Sequence, residues 1–233
     1  MAPQERSRTA PGERWLASLL PFVRAQLPPA PARVIEIGCG TLGGFVPALL
    51  GDGYDATGVD PKAPEAAAYR RTRFEDCEPG EPADVIVACR SLHHVADLDE
   101  IAGRAAGALR PGGTIVVVEW AWERLDEQSA RWCFERLETI PPVEAGWLHR
   151  RRDGWLASGE TWEAYFAGWA AKESLHRSDE VVTALDARFA RRLLEYGPYL
   201  LVDLADDTEA EEQAAIDAGT IRGTGIRYAG TLL

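Results

Sequence analysis

The chain has 233 residues, a formal net charge of −12 and 46% hydrophobic residues, which is enough to bury one full core. Such an acidic balance leaves no surplus of cations to neutralise phosphates, so nucleic acid and an anionic membrane surface are disfavoured as partners. No leader pattern opens the sequence and no apolar run reaches membrane length, which predicts a cytoplasmic protein, monomer or homodimer.

Cys39, Cys77, Cys89 and Cys133 form no C-x-x-C pair and read as buried reduced thiols; no metal-ligand pattern stands out. The first dozen residues, rich in Pro, Arg and Glu, are expected to be loose. From Glu13 to Leu27, apolar residues such as Trp15, Leu19 and Val23 share one helical face, with Pro21 placed to kink or divide the helix. This N-terminal helical segment, residues 11–30, ends in Pro28-Pro29-Ala30-Pro31.

The rest of the chain is organised around Val34-Ile35-Glu36-Ile37-Gly38-Cys39-Gly40-Thr41-Leu42-Gly43-Gly44. A β-branched run predicts a buried strand, the glycines a tight turn open to a ligand, and Phe45 to Leu50 a helix whose free N–H groups face the same crevice. Glu36, two residues before the first glycine, is placed to bind a cation such as an amino-acid ammonium. A second strand, Tyr54 to Val59, ends at Asp60, an acid suited to two ribose hydroxyls. Pro61 and Lys62 follow in a turn, where the lysine either touches the ligand or is solvated.

A short third strand is expected around Thr72 to Phe74, closing in Glu75-Asp76. The near-continuous apolar run Asp84 to Cys89 suits a strand buried on both faces, which delivers Arg90, Ser91, His93 and His94 to the ligand edge. Asp97 caps the next helix, and Pro111-Gly112-Gly113 turns into a fifth strand, Thr114 to Glu119. Near the end, Val181 to Glu195 reads as an amphipathic helix with Arg188, Arg191 and Arg192 on one side. Pro198 to Leu204 reads as a strand, and Asp206 to Ala218 as a solvated acidic helix with a Thr208-x-x-Glu211 capping box. Ile221 to Leu232 is the last strand.

The glycine turn, Asp60, Ser91-Leu92-His93-His94-Val95 and Leu109-Arg110-Pro111-Gly112-Gly113-Thr114 together resemble the class I S-adenosylmethionine-dependent methyltransferases, small-molecule branch, over roughly residues 33 to 120. The resemblance implies one α/β domain, residues 1–232, with a doubly wound, Rossmann-like, seven-stranded, mostly parallel sheet whose last strand returns antiparallel between its predecessors. It also implies the cofactor S-adenosyl-L-methionine, a small-molecule substrate, and a leading helix lying over the crevice, although packing on a sheet edge fits that helix equally well. The residues it assigns to the cofactor are Glu36, Gly38, Cys39, Gly40, Asp60, Pro61 and Cys89, with Asp76 preferred to Glu75 for the adenine amino group.

Two departures stand out. The third glycine comes one residue late, and Arg90 holds a place usually given to a small or amide residue. We assign Arg90 to the cofactor's carboxylate, since a cation beside a sulfonium would otherwise repel it. No Asn/Asp-Pro-Pro-aromatic segment follows strand four, which further disfavours DNA or RNA substrates.

Between strands five and six an insertion, residues 122–196, carries Trp122, Trp132, Trp147, Trp155, Trp162 and Trp169. It is expected to form a helical lid, with half of these rings stapling it to the core; Trp120 and Trp122 are the expected pocket members. His149-Arg150-Arg151-Arg152 either receives an acidic substrate group, with His149 at the substrate, or is solvated surface; Asp153-Gly154 after it suggests a turn. His93 and His94 are the candidate general bases, with His149 and His176 as outsiders, and Glu119 either orients an acceptor or serves as an ion-pair partner. The expected reaction is methylation of a small organic molecule, oxygen favoured over nitrogen or carbon. Competing readings are a methyltransferase fold that binds the cofactor without transfer, such as a cyclase or binding protein, and an NAD(P)-dependent oxidoreductase suggested by the literal Gly38-x-Gly40-x-x-Gly43.

Overall fold

A computed structural model of the chain describes residues 11–78, 80–137, 146–200, 204 and 209–233. Expectations for residues 1–10, for Thr208 and for insertion residues 138–145 lie outside that range. Its sheet has seven strands: β1 (Arg33–Ile37), β2 (Asp55–Val59), β3 (Tyr69–Arg70), β4 (Ala83–Cys89), β5 (Leu109–Trp120), β6 (Phe189–Gly197) and β7 (Gly225–Leu232). Their order is β3-β2-β1-β4-β5-β7-β6, parallel up to β5, with β7 antiparallel to both β5 and β6. The strand order reverses between β1 and β4, and at such a switch point a crevice opens at the carboxyl ends of the strands.

Alternate side chains divide the core between two faces, as the period of a strand requires. Val34, Val85, Val87, Val116 and Val118 pack under α1 (Pro11–Gln26), α2 (Val46–Gly51) and the insertion helices α4 (Glu127–Phe134), α5 (Trp147–Ser158) and α6 (Trp162–Lys172). Ile35, Ile37, Ile86, Ile115 and Val117 pack under α3 (Leu98–Ala108) and α7 (Ser178–Asp186). Asp97 does cap α3, accepting the N–H of Glu100 at 2.9 Å.

Several elements depart from the expectations. Helix α1 runs through Pro21 undivided. The third strand lies at Tyr69–Arg70, and Phe74–Asp76 is instead a 3-10 turn with Phe74 buried. Asp153 and Gly154 sit inside α5. The expected helix Val181 to Glu195 stops at Asp186, and Phe189–Gly197 is the edge strand β6. Its register slips between Arg191 and Leu193, and most of its residues are exposed, so neither burial nor strict alternation marks it as a strand. Pairing with β7 overrides a helical composition, and arginines on an exposed edge also discourage further strand addition.

Pro198, Tyr199 and Leu200 follow β6 without strand pairing. Helix α8 (Glu209–Asp217) is acidic but not wholly solvated: Glu212 is buried and accepts the N–H of Tyr199 at 2.8 Å, because that loop's donors have no ladder to join. The four cysteines are buried, and none forms a disulfide. Among the described residues no helix is long and apolar enough to cross a membrane.

Candidate active site

Parallel pairing sets Ile37 beside Val59, so the chain leaves β1 and β2 side by side, and Gly38 N–H donates to Val59 C=O at 2.9 Å. Gly38 and Gly40 adopt φ of 78° and 62°, left-handed values that a residue with a side chain reaches only under strain. At Gly38 a Cβ would strike Ser91, so the turn is pressed against the end of β4; at Gly40 the space is open. Asp60 closes the turn, accepting Gly40 N–H at 3.1 Å on one oxygen and Lys62 N–H at 2.6 Å on the other. Each oxygen keeps a lone pair for a further donor, such as a ribose hydroxyl. A bare turn and a half-buried carboxylate with spare acceptor capacity fit a nucleoside bearing an amino acid.

Glu36 departs from its expected role. It is 1% exposed, and its carboxylate is turned beneath the glycine turn to accept Phe45 N–H at 2.7 Å, not presented to the crevice. It satisfies the start of α2, whose N-cap residue, Phe45, offers no side-chain acceptor. Burial pushes its carboxyl up to about 8, against the pull of the Phe45 and Val46 N–H groups. Cys39 packs its thiol toward Gly58, and burial with nearby Glu36 and Asp60 pushes it up to about 12. Pro61 is exposed in the turn after Asp60, Glu75 is held by Arg73 at 2.8 Å, Asp76 is exposed, and the Cys89 thiol is buried and pushed up by that burial.

Past β4 the chain bends sharply at Arg90, whose φ of 53° is left-handed and costs a non-glycine residue about 1 kcal/mol. That bend turns two successive N–H groups, of Ser91 and Leu92, onto Glu119 Oε1, each at 2.6 Å. The Trp120 N–H and His93 Nδ1 bind Oε2 of the same carboxylate. Glu119 is fully buried; burial alone would raise its pKa, but the His93 ring and these N–H donors hold it below the usual carboxylate range. Of its two expected roles, the structure favours the second: Glu119 is the carboxylate partner of a histidine, and the contact becomes an ion pair when the ring is protonated.

His93 borders a cavity of about 440 Å³, which His94, Arg90, Trp120, Trp147 and Trp169 also line, while Glu119 lies buried behind the ring. Glu119 occupies Nδ1, leaving Nε2 as the ring nitrogen able to act on a bound molecule. His94 is more exposed, and burial together with the His93 ring lowers its pKa. Helix α1 reaches over this edge: Arg90 lies 5.0 Å from the Trp15 ring centroid, and Trp15 meets Tyr199 edge-on at 6.0 Å.

The expected substrate residues separate. Trp120 borders the cavity, whereas Trp122 donates its indole N–H to His176 C=O at 3.0 Å, and His149 is buried off the cavity wall. His176 holds Val95 C=O with its ring Nε2 at 2.9 Å and donates its backbone N–H to His93 C=O at 3.0 Å, but it does not line the cavity. Arg150 and Arg151 turn to the cavity, and Arg152 pairs with Asp153. Tyr199 went unnoticed because it fell in an expected strand; an aromatic residue directly after Pro198, at a loop start, was the signal available.

A methyltransferase domain family model matches residues 8–163. The chain is 35% identical over 98 residues to a ubiquinone biosynthesis O-methyltransferase of Bradyrhizobium sp. (strain ORS 278), a match spanning 36% of this chain and 38% of that relative, so little more than a third of the relative is covered. The fold is shared with an S-adenosylmethionine dependent methyltransferase from Mesorhizobium loti, at TM-score 0.55 and 18% identity over 92% of this chain and 97% of the other. It is also shared with geranyl diphosphate C-methyltransferase from Streptomyces coelicolor A3(2), at TM-score 0.55 and 15% identity over 95% and 82%. With a family model covering well over half its length and a sheet of the same order, the chain belongs to the class I S-adenosylmethionine-dependent methyltransferase family.

Proposed function

We propose that this protein transfers a methyl group from S-adenosylmethionine to a hydroxyl oxygen of a small organic molecule, with His93 as general base. The observation that carries this reading is His93 on the wall of a tryptophan-lined cavity, held at Nδ1 by the buried Glu119. The name of the matched relatives, O-methyltransferases of ubiquinone biosynthesis, supports oxygen as the acceptor.

When bound, S-adenosylmethionine supplies an electrophilic methyl group on its sulfonium. The chain has then to hold the acceptor in line, exclude water and remove one proton. His93 Nε2 takes the hydroxyl proton while Glu119, at Nδ1, fixes the tautomer and stabilises the imidazolium that forms. Asp60 holds the ribose hydroxyls, the Gly38–Gly40 turn admits the amino-acid portion, and Arg90 meets its carboxylate. His94 lines the wall without a carboxylate hydrogen-bonded to its ring among the described residues.

The test is incubation with methyl-labelled S-adenosylmethionine and catechol, aliphatic alcohol and amine acceptors. Label should appear on a hydroxyl oxygen, at a rate that collapses in His93→Gln. Binding of S-adenosylhomocysteine with no transfer to any acceptor would favour a protein that only binds the cofactor.

A further inference from the structure

The cavity wall carries positive charge in a chain of formal charge −12. Arg150 and Arg151 reach it from α5 and Arg90 from the end of β4, with Glu173 as the carboxylate on that wall among the described residues. Arg152, the next residue along α5, is turned aside to pair with Asp153.

Arg151 has a different setting. Its guanidinium lies over the Trp169 ring, 4.9 Å from the centroid, and its Nε is buried with no hydrogen-bond partner among the described residues. A guanidinium stacked by its face keeps its N–H edge for an in-plane, bidentate oxyanion. A second orphaned donor belongs to the same wall: Trp120 is 6% exposed, and its indole N–H also lacks a partner among the described residues. Two buried N–H groups left without acceptors are costly unless a bound molecule brings one. Trp120 lies 6.1 Å from Trp169 and 6.2 Å from His93, and Tyr199 stacks on it with rings parallel to 1°. Flat apolar walls, cations and unmatched donors therefore meet beside the proposed base.

We propose that the acceptor is a flat, apolar molecule bearing an oxyanion, in the first instance an aromatic carboxylic acid. The N–H edge of Arg151 grips the carboxylate, the Trp120 indole N–H donates to the same molecule, and the ring packs against the tryptophans. This rests on the methyl-transfer reading for the acceptor's role, but the binding it predicts can be measured without turnover.

Tryptophan fluorescence and calorimetry on the full chain, with and without S-adenosylhomocysteine, would compare 3,4-dihydroxybenzoate, its methyl ester and phenyl phosphate. The acid should bind at least about tenfold more tightly than the ester, as a charge-assisted bidentate contact predicts. That preference should vanish in Arg151→Ala, recover in part in Arg151→Lys, persist in Arg152→Ala, and weaken with salt, while S-adenosylhomocysteine binding by Arg151→Ala stays unchanged. Phenyl phosphate binding in place of the benzoate would support an oxyanion site and reassign the group to phosphate. Equal affinity for acid and ester, or failure of both anions to bind, would overturn the proposal. Retained acid preference without S-adenosylhomocysteine binding would uphold it while removing the methyltransferase reading.

Discussion

Two buried carboxylates, at the ends of neighbouring regions of one sheet edge, behave in opposite ways. Glu36, in β1, and Glu119, in β5, are 1% and 0% exposed, yet burial raises the first to about 8 while the second falls below its ordinary range. The difference is the company each keeps. Glu36 accepts N–H groups from the start of α2, whereas Glu119 accepts three backbone N–H groups and faces an imidazole that can carry charge. Desolvation decides a carboxylate's state only until enough hydrogen-bond donors, here three N–H groups and an imidazole, are supplied. One acid therefore serves as a neutral fastening and the other as the anion of a dyad.

The largest effect expected from breaking that contrast is at Glu119. Glu119→Gln should lower the methyl-transfer rate on the order of a hundredfold while S-adenosylhomocysteine still binds, since the imidazole loses its orienting anion. The double variant with His93→Gln should be hardly slower than either single variant, because the two act as a unit. Glu119→Asp should recover part of the rate, and its pH profile would separate a positioning role from a merely structural one. Independent, additive losses would contradict the dyad.

Glu36 sharpens the comparison from the other side. Its unfolded pKa is 4.5 and its folded one about 8, so between those values the folded chain holds a proton that the unfolded chain has released. Stability should fall as pH rises through that window, on the order of a few kcal/mol in total. Glu36→Gln, uncharged throughout, should flatten that slope in urea denaturation at about pH 5 and about pH 9. A slope left unchanged by Glu36→Gln would show that Glu36 is ionised in the fold.

Asp60 is a third acid on the same edge, half exposed, whose work is hydrogen bonding. Asp60→Ala should weaken S-adenosylhomocysteine binding by roughly tenfold or more in calorimetry, with little change in stability. The smallest effect belongs to Arg90, an exposed cation near the dyad, stacked on Trp15. Arg90→Ala should weaken the same binding by about threefold. An unchanged dissociation constant would remove it from the cofactor's carboxylate.

The strands that meet both faces of the core were legible because they carry their signal locally: Val34 to Ile37 and Asp84 to Cys89 are apolar runs ended by glycine or polar residues. Strand β6 was illegible because it is an exposed edge with a bulge, held by β7, so its residues advertise a helix they do not form. The same limit applied to the site. The Leu92-His93-His94 segment was readable as a cluster at a strand end, but which histidine is anchored depended on the left-handed turn at Arg90 and on a carboxylate 26 positions away along the chain.

By itself the sequence determined the parallel sheet, the glycine turn and the acid after β2, because strand periodicity and backbone sterics act over a few residues. Only the tertiary structure decided that Glu36 turns inward, that Glu119 pairs with His93, and that Arg151 faces a cavity while Arg152 does not. Those outcomes depend on which distant groups share a buried volume, and charge and hydrogen bonding there are settled by neighbours in space that no local pattern records.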